Sequence, residues 1–192
     1  MIKIGITGGI GSGKSIVASL FALYGIPVYI ADTESKILTN TSETIRQKLT
    51  ALFDDSLYTE TGLDKKKLAS YIFNDPKLLE TVNRIIHPEV AQHFQNWVAQ
   101  QTGNLCIIES AILFESGFNS LVDKTITVFA PEEIRIKRSM QRDNVSEETI
   151  RQRMKNQMAE EVKINRSDFI ISNDDSKALI PQVYAILTTL NP

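Results

Sequence analysis

The 192-residue chain is long enough for one well-filled core with a small appended subdomain, since a domain of this size buries about 70% of the surface its unfolded chain exposes. With 42% hydrophobic and 23% charged residues and a formal net charge of -2, it has the make-up of an ordinary globular protein and lacks the basic balance of a nucleic-acid binder. Its one cysteine, Cys106, excludes an internal disulfide framework and a Cys-rich zinc site, and no apolar stretch is long enough to span a bilayer.

The first strand is predicted from Ile2 to Thr7; it leaves no room for a signal peptide, so a cytoplasmic location without a membrane partner is expected. It feeds Gly8, Gly9, Ile10, Gly11, Ser12, Gly13, Lys14 and Ser15, which match G-x-x-x-x-G-K-[ST] between a strand and a helix. A helix over 14–24 follows and Gly25 ends it; Pro27 to Ile30 form a second strand that delivers Asp32 at its carboxyl end. Helical spacing then covers 33–40 and 42–53, the latter capped by Ser42, and 54–62 reads as a polar connection. Further helices are expected over 64–73 and from Pro76, behind the cap Asp75, to Ile86. A break at His87 and Pro88 is expected to start a separate helix that runs to about Gln101 and carries Trp97 in the core.

The continuous apolar run Leu105 to Ile108 marks a strand buried on both faces, with Glu109 at its end. Thr125 to Phe129 is a fourth strand, followed by a helix from Pro131 to about Arg142 and another capped by Ser146. Asp168 to Ser172 is the fifth strand, and a last helix covers about 176–190. The predicted fold is therefore α/β: a five-stranded parallel sheet flanked by helices, with a helical insertion and a helical lid. The core is expected over 1–35 and 87–192, with the lid at about 138–165 and the insertion over 36–86.

Several residues carry candidate chemistry. The loop backbone from Gly9 to Ile16 can turn its amides on a phosphate chain, with the helix N-terminus adding partial positive charge. Lys14 reaches the β- and γ-phosphates, and the Ser15 hydroxyl holds Mg²⁺. Asp32 is either a base for an acceptor hydroxyl or a helix cap. Glu109 is either a metal-side carboxylate or half of an ion pair. Nine of the 21 Lys and Arg fall between Arg135 and Arg166; most suit a solvated helical face, whereas Arg138 and Arg142, four apart, suit a lid closing over transferring phosphate. His87 reads as a hinge or cap, and Cys106 as an inert buried thiol.

Taken together, ITGGIGSGKS, the Asp32 strand end, IIHPEV at 85–90, ILFE at 112–115, KRSMQRDNVSEE at 137–148 and SDFIISN at 167–173 resemble the dephospho-CoA kinase family. The resemblance implies ATP-dependent phosphorylation of the ribose 3′-hydroxyl of dephospho-CoA, a nucleoside-monophosphate-kinase-like core, an acceptor-binding insertion and a lid. It implies Asp32 as the base, Arg138 and Arg142 in the lid, Asn173 beside the adenine, and Mg²⁺ with ATP. The chain departs from the family pattern at Ile16, Ile30, Ala111 to Leu113 and Arg135. Rival readings are a kinase for another nucleoside or nucleotide, and a nucleotide-dependent switch; no Asn-Lys-x-Asp guanine-reading motif stands where a GTPase would carry it.

Overall fold

The computed structural model describes residues 1–73 and 75–190; residues 74, 191 and 192, which fall inside the expected insertion and core ranges, lie outside the described residues. The chain divides into two compact units, Met1–Ile30 with Gln101–Pro192, and Ala31–Gln100.

In the first unit the strands are β1 (Ile2–Thr7), β2 (Val28–Ile30), β5 (Leu105–Glu109), β6 (Lys124–Phe129) and β7 (Phe169–Ser172). They form one parallel sheet in the order β2-β5-β1-β6-β7. All five residues of β5 are buried, which explains its unbroken apolar run: it is hydrogen-bonded on both sides and covered on both faces. Helices α1 (Lys14–Leu23) and α9 (Leu179–Leu190) contribute Val17, Ala18, Phe21, Val183 and Ile186 to one cluster with Ile4, Ile6, Ile107, Ile126, Val128 and Ile171. Burying each large aliphatic or aromatic side chain there contributes about 1.5–3 kcal/mol before chain entropy is subtracted. Gly5 in β1 leaves room for Leu113, whose side chain would lie 2.6 Å from an added Cβ.

Beyond β6 the unit carries α6 (Glu132–Asp143), α7 (Glu147–Lys155) and α8 (Glu160–Arg166). Asn144 ends α6 in the left-handed conformation, and Ser146 caps α7 by accepting from the Thr149 amide at 3.3 Å. α8 is an element that the sequence reading did not separate.

The second unit is built on α5 (Pro76–Ala99), with α2 (Ala31–Thr41), α3 (Glu43–Leu52) and α4 (Lys65–Ile72) packed around it. Ser42 caps α3, Asp64 caps α4 and Asp75 caps α5. The expected polar connection at 54–62 holds a short 3-10 turn and a two-stranded hairpin, β3 (Tyr58–Thr59) and β4 (Gly62–Leu63). The break expected at His87–Pro88 is absent. α5 runs unbroken over Pro76–Ala99 with Pro88 inside it. Val82, Ile86, Val90 and Phe94, spaced four apart, are all buried, and this stripe outweighs the hydrogen bond that Pro88 removes. A unit boundary at 86/87 would therefore cut a helix; the second unit continues to Gln100.

Candidate active site

The site starts where β1 ends. Gly11 and Gly13 have φ of 80° and 90°, in the left-handed region that favours glycine. At Gly13 a side chain is doubly excluded, because an added Cβ would also run into the amide nitrogen of Asn173. Within the loop, Ser12 N–H donates to the Gly9 carbonyl at 3.0 Å, and the Ile16 and Val17 amides donate to Gly13 at 3.0 and 3.2 Å. Among the described residues, the amides of Gly11, Gly13, Lys14 and Ser15 find no protein acceptor. Four open donors at the head of α1 form an anion cradle, reinforced by the helix dipole. The amides of Ile10, Ser12 and Ile16, by contrast, are taken up by the protein itself.

β5 brings Glu109 to the same place, because Glu109 pairs in register with Ile6 of β1. Its carboxylate is 3% exposed; one oxygen lies 3.4 Å from the Lys14 ammonium and the other accepts from the Ser15 hydroxyl at 3.3 Å. The ion-pair reading of Glu109 describes this geometry, and the same carboxylate lies beside the Ser15 hydroxyl. No cluster of three or more His, Cys, Asp or Glu exists among the described residues, so these side chains alone do not fill a cation's coordination sphere.

Asn173 follows β7 and donates its side-chain amide to the Ser12 carbonyl at 2.7 Å, which clamps the loop to the far strand. Arg138 donates to the Asn173 carbonyl and to Asp175, both at 2.8 Å, so its guanidinium is held at the loop after β7. Arg142 is 60% exposed on its side chain and paired with Asp143 at 2.7 Å, which holds its guanidinium more firmly protonated than usual. The basic segment is not uniformly a solvated face. Arg135 is buried and donates to the Ala130 carbonyl at 3.0 Å, and Lys163 is fully buried, donating to the Ala111 carbonyl at 2.8 Å beside Glu115 at 3.1 Å.

The sequence reading missed Gln157 and Glu160, at the joint between α7 and α8. The Ile10 amide donates to Gln157 Oε1 at 3.0 Å. The Gly9 amide faces the Glu160 carboxylate, which lies 3.9 Å from Arg135; burial pushes the Glu160 carboxyl up, against the pull of that cation. A neutral glutamine in a helix joint leaves no periodic or charge signal that would single it out.

Asp32 and His87 belong to the second unit. Asp32 is exposed in the first turn of α2, and its carboxylate has no protein partner among the described residues. It is the second residue of that helix, so the cap reading does not describe it. His87 lies within α5, and burial lowers the pKa of its imidazole. Cys106 is buried, and its thiol is pushed up by burial.

Residues 2–178 match the sequence model of the family described as dephospho-CoA kinase. A dephospho-CoA kinase of Porphyromonas gingivalis is 49% identical over 191 residues, covering 99% of this chain and 95% of that protein. One from Bacteroides fragilis is 45% identical over 190 residues, covering 98% and 93%. A crystal structure from Thermus thermophilus superposes with a TM-score of 0.87 at 33% identity, covering 100% of this chain and 98% of that one. Dephospho-CoA kinase from Campylobacter jejuni gives 0.69 at 26% identity, covering 98% and 96%. Shikimate kinase from Acinetobacter baumannii, at 16% identity and a TM-score of 0.55, shares the fold.

Proposed function

The chain belongs to the dephospho-CoA kinase family, and from that premise we propose that it transfers the γ-phosphoryl group of ATP to the ribose 3′-hydroxyl of dephospho-CoA, giving coenzyme A and ADP, the last step of coenzyme A synthesis. The observation that carries the reading is the convergence of Lys14, Ser15 and Glu109 beside the four open amides of the loop. Those amides suit the phosphate chain, and Lys14 suits the β- and γ-phosphates. Ser15 and Glu109 offer hard oxygen donors that would hold Mg²⁺, and a cation held there would supply positive charge to the phosphate chain. The clamp of Asn173 on Ser12 supports a place for that side chain beside the nucleotide.

Asp32 is the general base. The acceptor oxygen forms a bond to the γ-phosphorus, the bridging bond to ADP breaks, and the hydroxyl proton passes to the Asp32 carboxylate. An exposed carboxylate with no protein partner, at the start of a separate helical unit, supports that role and an acceptor-binding role for residues 31–100. Arg142, in the lid segment at about 138–165, supplies positive charge to the transferring phosphoryl group; Arg138, tied to the loop after β7, holds the nucleotide side. The protein works in the cytoplasm on these small molecules.

The experiment is ATP turnover with and without dephospho-CoA across a magnesium titration, for the wild type, Asp32→Asn and Glu109→Gln. Wild-type turnover should require dephospho-CoA. Asp32→Asn should lose about 10²- to 10⁴-fold in kcat with ATP affinity retained, and Glu109→Gln should shift the magnesium dependence. Turnover independent of dephospho-CoA overturns the substrate assignment; normal turnover of Asp32→Asn overturns the base.

A further inference from the structure

The Ile10 amide is a loop donor lost to the phosphate chain, because it binds Gln157 Oε1 at 3.0 Å. That bond settles which way the carboxamide faces: a backbone N–H must meet the oxygen, so the Nε2 group lies on the other side. Gln157 Nε2 carries two donors and has no protein partner among the described residues, and its side chain is only half-buried. The next loop amide, that of Gly11, is the first of the four open donors. A triphosphate whose inner phosphates rest on the helix-side amides leads its outer end towards the opening residues of the loop, where Gln157 is tied.

We propose that Gln157 is a specificity-determining residue for the terminal phosphoryl group: Ile10 orients its carboxamide, and Nε2 donates a hydrogen bond to a γ-phosphate oxygen. Gln157 returns to the phosphate chain the donor that Ile10 gives up. The inference rests on the ATP-dependent reading of the site. Its location also ties the α7–α8 joint to the loop at two consecutive amides, since the Gly9 amide faces Glu160.

Affinities for Mg²⁺-ADP and for the Mg²⁺ complex of the non-hydrolysable imido analogue of ATP, measured by calorimetry on the whole protein without acceptor, test it. In Gln157→Ala the triphosphate analogue should bind about tenfold more weakly while ADP changes by less than about twofold, as expected for losing one hydrogen bond to a charged group. Gln157→Glu keeps the acceptor for Ile10 and replaces the donor with a negative charge, so the analogue-to-ADP affinity ratio should fall further. A ratio unchanged in both variants, whether both ligands weaken together or neither does, overturns the proposal, because a purely structural tie affects the two nucleotides alike. Absence of dephospho-CoA-dependent turnover in the wild type would instead remove the substrate assignment and leave this ratio intact.

Discussion

Glu160 is a buried carboxylate with one oxygen that has no partner among the described residues, and the physics of its titration is open to test. Burial raises its pKa above the unfolded value, so between the two values the folded protein holds a proton that the unfolded chain has released. Stability contributed at this site therefore falls as pH rises through that interval, from about pH 4 upward. Glu160→Gln removes the titration and keeps an acceptor for the Gly9 amide. Thermal unfolding over an acid-to-neutral series should show the variant gaining on the wild type as pH rises; a constant difference would contradict the assignment. At this scale the loop residues were legible because Gly, Lys and Ser at fixed spacing have few other uses. Arg135 and Lys163 were not, since a basic residue on a helix gives no sequence sign of being buried, and their burial depends on carbonyls at Ala130 and Ala111 that only the fold supplies.

The strand-loop-helix element made of β1, the loop and α1 is held by contacts that reach across the sheet. Asn173 donates to Ser12 and fills the space where a Gly13 Cβ would stand, whereas Gly25, also left-handed at φ 78°, has nothing within 4 Å of that point. Gly13→Ala should therefore cost about 2–4 kcal/mol, combining left-handed strain with a displaced hydrogen bond, and Gly25→Ala only about 1–2 kcal/mol. Denaturant midpoints compare them; equal losses would mean that Asn173 does not brace the loop. Element types were largely legible from periodicity and caps, as the Asp75–Pro76 start of α5 and the apolar run of β5 show. The continuity of α5 was not, because a local rule about proline competed with a burial stripe on a helix that packs against α2 and α3, which are distant in sequence.

At the scale of the whole molecule, a parallel sheet places the ends of β1 and β5 side by side, and that alone brings Glu109 to Lys14 and Ser15 across some ninety positions of chain. The helical unit of residues 31–100 begins directly after β2, with Asp32 in its first turn. The proposed reaction is a single phosphoryl transfer from ATP to a ribose hydroxyl. The most direct measurement follows the label from γ-³²P ATP in a reaction with dephospho-CoA. Label is expected in coenzyme A, at the ribose 3′ position and equimolar with ADP. Label recovered as inorganic phosphate, or on another position of the acceptor, would contradict it.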